Sequence, residues 1–322
     1  MARISFISFL IVCCCLTPVA AAQPTATSVQ PAGKSEALPG GDGDAQKVGS
    51  LFLHMCVNHF SRGNLVWAEQ ACSRALVANP REVEAYKLRG YIYLVGHRFV
   101  EAAEDFRAAL RLRPKDDQEI AGYGQSLSGM GKFPAAADQF RKALALAPQR
   151  APYWNGLCWA LAGDGHRLQE ALDSCNQALS LMPAAAGTLN SRAMVYLHMK
   201  RFSLAIADYS ASLEVQQDQA SAWFGRGLAH LHLGKMEGAS DILEARRRDA
   251  GIDSLFVQMG VLPANCSQAT DDKAKAKPAC PLGFPPAQSG RPGAYMTASL
   301  HADPDQELAW AIQAVDGGLQ RK

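Results

Sequence analysis

Cysteine and histidine are the residue types through which this chain could carry redox or metal chemistry. Its 322 residues include nine cysteines and eight histidines. The chain has no Cys-x-x-Cys pair beyond residue 22 and no zinc ligand spacing, so neither redox catalysis nor a zinc site is expected. No cofactor is predicted, and disulfide bonding is the chemistry that remains to the cysteines beyond residue 22. They are Cys56, Cys72, Cys158, Cys175, Cys266 and Cys280.

The sequence also lacks the motifs of hydrolytic catalysis. It contains neither a His-Glu-x-x-His segment nor a Gly-x-Ser-x-Gly segment. His198 and His232 stand one repeat apart and could approach each other, but a pair of surface histidines is a simpler interpretation than a metal site. We predict that the chain is not an enzyme. A metal-handling role and a hydrolase with an unrecognised site are the alternatives.

Regularly spaced prolines indicate the kind of fold in which these residues are held. Pro80, Pro114 and Pro148 stand 34 residues apart, and Pro183 follows after 35. Each has an alanine five residues before it, a bulky residue or a cysteine eight before it, and an alanine twelve before it. A repeat of this length and pattern predicts stacked helix-turn-helix units. Six repeats begin near residues 49, 83, 117, 151, 186 and 220.

The first helix of each repeat carries a large residue at position four and a small one at position eight. A small residue lets the second helix of the repeat approach closely, and a bulky residue of that second helix fills the remaining space. The expected pairs are Gly90 with Phe106, Gly124 with Phe140, Ala193 with Tyr209, and Gly227 with Leu243.

This pattern resembles the tetratricopeptide repeat family, most closely in repeats two and three. The resemblance implies an all-α fold: a right-handed superhelical solenoid of about six helix-turn-helix repeats over residues 45–261, closed by a capping helix near Gly251–Val261. Repeat four has one extra residue, which we assign to the Gly163–Leu168 turn. Repeat five has Gln217 where the proline belongs.

Two cysteine pairs replace the small–large pair in repeats one and four. Cys56 and Cys158 occupy position eight, while Cys72 and Cys175 occupy the facing site of the second helix. We predict the disulfides Cys56–Cys72 and Cys158–Cys175, each closing a loop of roughly 15 residues worth about 3 kcal/mol. The alternative is buried free thiols. By elimination, the remaining two cysteines, Cys266 and Cys280, would pair with each other.

Segments of different composition flank the repeats. Residues 1–22 have the charged start, apolar run and Ala20-Ala21-Ala22 site of a cleaved signal peptide. An uncleaved anchor and a lipoprotein signal are the alternatives. We predict a disordered linker at 23–44, a disordered tail at 262–302 and a short C-terminal helix at 303–322. The mature protein would then be periplasmic or secreted, with no membrane span.

The resemblance also implies a binding groove, because positions two, five, nine and twelve of the first helices line the concave face in this family. An apolar and aromatic groove with amides suits an extended peptide or a helix, unless the C-terminal helix with Trp310 covers it. The implied binding residues are Phe60, Lys87, Tyr91, Gln125, Asn155, Trp159, Asn190, Met194, Phe224 and Leu228, beside Leu53, Val57, Leu94, Leu197 and Leu231.

These features together predict a non-enzymatic scaffold or adaptor of the cell envelope that binds a protein or peptide in its groove. The net charge of +2 gives no basic face for nucleic acid. An accessory subunit of an envelope enzyme complex, acting in the cell wall or in secretion, is the alternative.

Overall fold

Thirteen α-helices make up the regular structure of residues 42–263, which are the residues that the computed structural model describes. The first twelve form six antiparallel hairpins, and the thirteenth stands alone. Their bounds are α1 Asp42–Ser61, α2 Leu65–Ala78, α3 Val83–Val95, α4 Phe99–Leu112, α5 Asp117–Gly129, α6 Phe133–Leu146, α7 Ala151–Asp164, α8 Leu168–Leu181, α9 Ala186–His198, α10 Phe202–Val215, α11 Ala220–His232, α12 Gly238–Arg248 and α13 Ile252–Gln258.

The all-α repeat superhelix expected from the proline spacing is confirmed. Helix α1 begins at Asp42, three residues before the expected start of the repeats at residue 45. Among the described helices, none combines the length and the apolar character needed to span a membrane. The signal segment, the segment before Asp42, the tail beyond Pro263, the C-terminal helix with Trp310 and the Cys266–Cys280 pair lie outside the described residues.

A left-handed residue turns the chain between the two helices of each hairpin. In repeat four that residue is Gly165, with φ of 72°, directly after α7. Helix α7 has 14 residues, whereas α3, α5, α9 and α11 have 13. Gly165 stands at position 15, as the left-handed residues of the other repeats do, but α8 begins three residues after it, whereas α4, α6 and α10 begin two residues after theirs. The extra residue of repeat four therefore lies after Gly165, within the expected Gly163–Leu168 turn.

Each large aromatic of a second helix packs between two small residues. A Cβ built on Gly124 would come 3.3 Å from the Phe140 ring, and one built on Gly156 would overlap that ring. Gly124 is position eight of the same repeat, and Gly156 is position six of the next. Phe106 lies in the same way between Gly90 and Gly122. The aromatic ring thus packs against both its own repeat and the following repeat. This contact requires glycine at position six in the first helix of the following repeat.

Repeat six shows that the expected pair of Gly227 with Leu243 is wrong by one residue. Leu243 is 64% exposed, while Ile242 is 1% exposed and lies against Gly227. Helix α12 is shorter than the other second helices and starts at Gly238, whose backbone packs directly on Gly227. Ile242 lies eight residues after the left-handed Gly234, whereas Phe106 lies nine after His97 and Phe140 nine after Gly131. The register of the second helix is therefore shifted by one residue.

Three arginines at position seven tie first helices to second helices. Arg192 donates from Nε and Nη2 to both carboxylate oxygens of Asp208, at 2.7 and 2.8 Å, and from Nη1 to Asn176 of the preceding repeat. The bidentate bond with Asp208 raises the pKa of Arg192 further above its usual value. Arg89 with Asp105 and Arg226 with Asp241 repeat the geometry.

Candidate concave binding site

The two expected cysteine pairs face each other across their hairpins. The Cα atoms of Cys56 and Cys72 are 5.2 Å apart, and those of Cys158 and Cys175 are 5.3 Å apart. All four side chains are fully buried. Both pairs therefore have the separation and direction that a disulfide requires, and each stands where the other repeats have a small–large contact.

The row of position-nine side chains changes its exposure halfway along the solenoid. In repeats one to three the row is half-buried, and in repeats four to six it is buried to within 1%. We name the first part the N-terminal groove, formed by Val57, Tyr91 and Gln125. We name the second part the C-terminal groove, formed by Trp159, Met194 and Leu228.

Position five differs from position nine, because it is buried from repeat two onward, with Lys87 and Ala121 each 3% exposed. Asn155, Asn190 and Phe224 of repeats four to six are buried, with exposed fractions of 6%, 0% and 1%. Phe60 at position twelve of repeat one is also buried, against the packed first hairpin. Of the ten expected binding residues, Tyr91 and Gln125 are the ones whose side chains are partly exposed rather than buried, although the Tyr91 hydroxyl is itself buried.

The segment after α12 explains the burial of the C-terminal groove. Phe256 of α13 packs on Phe224 with ring centroids 4.6 Å apart, and Met259 contacts the ring of His198 through its backbone. Gln258 reaches the α5–α6 turn, where a Cβ on Gly131 would lie 2.7 Å from its amide nitrogen. The segment thus runs from Phe224 of α11 past His198 at the end of α9 to the α5–α6 turn, and it belongs to the same buried cluster as Trp159, Met194 and Leu228.

Helix α13 packs on both helices of the last hairpin, as expected of a capping helix. Asp253 binds Arg246 of α12, with an Nη2–Oδ1 distance of 2.6 Å, so α13 stays tied to repeat six. Its apolar face nevertheless turns toward α11 rather than extending the stack. The sequence pattern located the helix correctly but did not indicate which face of the solenoid it covers.

Lys87 is not available to bind an anion in the N-terminal groove. Its side chain is 3% exposed, and Nζ lies 2.6 Å from Glu84 Oε2 and 3.5 Å from Gln118 Oε1. The cation is therefore neutralised within the wall of the groove. A ligand of this half would be recognised by Tyr91 and Gln125, through apolar contact and amide hydrogen bonds.

Next to Lys87 lies a buried carboxyl pair that the sequence pattern did not reveal. Burial raises the pKa of Glu119 to about 9, and its hydrogen bond with Asp116 adds to the rise. Although burial opposes the change, hydrogen bonds from Glu119 and from the Gln118 backbone N–H lower the pKa of Asp116. The pair holds one proton at neutral pH, with Glu119 as donor and Asp116 as acceptor.

We expect Glu119→Gln to stabilise the protein at neutral and mildly alkaline pH and to be neutral near pH 4. The folded-state pKa of about 9 lies above the ordinary value of 4.5, so wild-type stability falls as pH rises between these values. Glutamine keeps a neutral donor throughout. The gain at pH 7 should be on the order of 3 kcal/mol, from about 1.4 kcal/mol per pKa unit.

Urea unfolding between pH 4 and pH 9 measures this effect. Glu104→Gln on the exposed face of α4 is the matched control, and its unfolding free energy should follow that of wild type. An identical pH profile for Glu119→Gln and wild type would show that the Glu119 carboxyl does not hold a proton in the folded state.

Among residues 42–263, no group of three or more His, Cys, Asp or Glu side chains has the arrangement of a metal site. His232 stacks on Phe202, with centroids 4.6 Å apart and planes 7° apart, while His198 is turned toward Met259. Burial lowers the pKa of His198 despite that backbone contact. The two histidines thus have separate structural environments.

Comparison with known proteins supports the repeat assignment. A family model described as "Tetratricopeptide repeat" matches residues 60–117, 124–187 and 190–251, together more than half of the chain. The TPR repeat-containing thioredoxin TDX of Arabidopsis thaliana is 33% identical over 84 residues, which are 26% of this chain and 22% of that protein. Tetratricopeptide repeat protein 6 of Homo sapiens is 27% identical over 170 residues, 52% of this chain and 32% of that protein. The chain thus spans less than a third of either relative.

Solved structures share the fold at low sequence identity. The Cut9–Hcn1 hetero-tetramer of APC/C has a TM-score of 0.57 at 15% identity, covering 68% of this chain and 44% of that chain. PilW, described as a type IV pilus biogenesis factor, has a TM-score of 0.54 at 19% identity, with coverages of 63% and 94%. Identities this low bear on the fold alone. The family model, which matches more than half of the chain, establishes that the chain belongs to the tetratricopeptide repeat family.

Proposed function

We propose that this protein is a non-enzymatic scaffold that binds a segment of another protein on the concave face of its repeats. The observation that carries the proposal is the N-terminal groove: Tyr91 and Gln125 stay accessible along a wall that is otherwise packed. An aromatic ring and an amide on adjacent first helices give a peptide an apolar anchor and a main-chain hydrogen-bonding partner. Because Lys87 is paired with Glu84, affinity rests on these two contacts rather than on a charged clamp.

We further propose that the chain works in the cell envelope after export. The charged and apolar start of the sequence, followed by Ala20-Ala21-Ala22, supports export, and a mature chain would then begin at Gln23. The two facing cysteine pairs support an oxidising compartment, where they would be joined as disulfides. Mass spectrometry of the protein isolated from its native host tests this. A chain that retains residues 1–22, or four alkylatable thiols at the paired cysteines, would contradict the proposal.

Variants of the N-terminal groove test the binding role. Envelope extract is passed over immobilised wild type, Tyr91→Ala/Gln125→Ala and Tyr86→Ala, and any protein captured by wild type is purified and titrated. Tyr86 lies on the same helix as Tyr91, also half-buried, but at position four, away from the groove. We expect Tyr86→Ala to bind as wild type does, and the double variant to lose at least about tenfold in affinity, since interface tyrosines commonly contribute more than 1 kcal/mol.

The outcome separates the groove from the rest of the surface. Circular dichroism must show that the double variant is folded, which its half-buried positions make the expected result. Unchanged affinity in a folded double variant would place the interface elsewhere on the solenoid. Equal losses in the double variant and in Tyr86→Ala would indicate a general structural effect and would also contradict the proposal.

A further inference from the structure

The segment Ile252–Met259 contacts the groove as a helical ligand would. Its buried side chains are Ile252, Leu255, Phe256 and Met259, with exposed fractions of 1%, 2%, 0% and 1%. Their spacing of i, i+3, i+4 and i+7 places all four on one face of a helix. This is the pattern by which amphipathic helices bind hydrophobic grooves. Gln258, at the edge of this face, is exposed, although its amide reaches the α5–α6 turn.

The fit of this segment leaves polar groups of the groove without partners. The Nε1 of Trp159 and the Oδ1 of Asn155 are buried, and neither has a hydrogen-bonding partner among the described residues. Both side chains lie on α7, at positions nine and five of the concave face. A buried donor or acceptor that loses its water without gaining a partner costs roughly 1–3 kcal/mol. A ligand in this groove could therefore form hydrogen bonds with Trp159 and Asn155 that α13 does not form.

The occupant itself is short. Helix α13 has seven residues, and isolated helices of fewer than about 12 residues are marginal in water. Its order therefore depends on contacts with the groove and on the Asp253–Arg246 pair at its start. A segment of this kind can leave the groove without unfolding the hairpins, whose helices are packed through the aromatic–glycine contacts.

We propose that the C-terminal groove is a receptor for an amphipathic helix of a partner protein, and that Ile252–Met259 is an internal occupant which that helix displaces. The inference rests on the groove-binding function proposed above and names its ligand class. The partner helix carries four apolar anchors at i, i+3, i+4 and i+7, with an aromatic residue at i+4 to replace Phe256 on Phe224. Polar groups flanking these anchors accept a hydrogen bond from Trp159 Nε1 and donate one to Asn155 Oδ1.

A labelled peptide with the sequence of residues 249–263 tests the inference directly. Its affinity is measured by fluorescence anisotropy for full-length wild type, for Phe256→Ser and for Met259→Ser. Leu243→Ser is the matched control, because Leu243 is an exposed apolar residue on the adjacent α12. We expect weak and equal binding to wild type and to Leu243→Ser, and at least tenfold tighter binding to both anchor variants, since a vacated groove removes the competition.

Two further reagents fix the site and the mode of binding. A peptide with serine in place of both Phe256 and Met259 should not bind any form of the protein. Adding Leu228→Arg to Phe256→Ser should abolish binding of the intact peptide, because the charge would stand in the C-terminal groove. Binding that survives Leu228→Arg would place the peptide elsewhere and overturn the proposal.

The remaining outcomes are equally decisive. If a folded Phe256→Ser variant binds the peptide no more tightly than wild type, the groove is not a helix receptor. If both anchor variants lose cooperative unfolding, α13 is an integral part of the core and not a displaceable occupant. Either result leaves the N-terminal groove experiment unaffected, because that experiment alters only Tyr91 and Gln125. Conversely, a failure of the N-terminal groove experiment would not change the result of the peptide titration.

Discussion

Replacing Trp159 by alanine is expected to lower the free energy of unfolding by about 3–5 kcal/mol, the range for truncating a large buried aromatic. The indole is fully buried in the cluster that also contains Met194, Leu228 and Phe256. Its removal would leave a cavity in this cluster, which also includes the buried face of α13. Urea unfolding followed by far-UV circular dichroism measures the loss, with the slope of the transition as a check on two-state behaviour.

The matched control is Tyr91→Ala, since Tyr91 occupies the same position of repeat two. Its ring is half-buried and lies 5.1 Å from the Phe106 ring in an edge-on contact, so truncation should cost only about 1–2 kcal/mol. The difference between the two variants measures what full burial adds at position nine. Equal losses in the two variants would mean that Trp159 is no more buried than Tyr91 in solution.

The hairpins could be predicted because their packing depends on residue size at fixed positions. Pro114, Gly124 and Phe140 each have one role that only their residue type fills, so the period appears directly in the sequence. The cysteine pairs were predictable for the same reason, because Cys158 and Cys175 break that size rule at two facing positions together. Such local rules hold wherever both partners lie within one repeat.

Features that depend on longer-range geometry could not be read in this way. The register of α12 follows from the backbone of Gly238 packing on Gly227, and the sequence offers both Ile242 and Leu243 as candidates. The Arg192–Asp208 bond leaves a signal, an arginine at position seven and an aspartate 16 residues later, that repeat two shares. The position of α13 leaves none, because its apolar face would suit either the end of the stack or the groove.

Removing the second cysteine pair with Cys158→Ala/Cys175→Ala is expected to lower the free energy of unfolding by about 3 kcal/mol, because the bond closes a loop of sequence separation 17. The structure also indicates how to rebuild the contact without sulfur. The packing aromatics of repeats two, three and five (Phe106, Phe140 and Tyr209) each lie against glycine at position six of the next repeat, whereas Cys175 has Ser191 there. Cys158→Gly/Cys175→Phe therefore also requires Ser191→Gly. The small–large pairing rule concerns one repeat only and would not indicate this third change.

We expect the free energy of unfolding of the triple variant to be about 1–3 kcal/mol higher than that of Cys158→Gly/Cys175→Phe. This is the usual cost of overpacking, because the Ser191 side chain would crowd the new ring. Its stability should be insensitive to reductant at this hairpin, whereas wild type should lose stability when Cys158 and Cys175 are reduced. Urea unfolding with and without dithiothreitol, on a background in which Cys56 and Cys72 are alanine, isolates the effect. If Ser191→Gly gives no gain, the ring of residue 175 does not reach the next repeat. In that case the aromatic at this site packs within its own hairpin, and the coupling between these two repeats resides in the Arg192 contact to Asn176 instead.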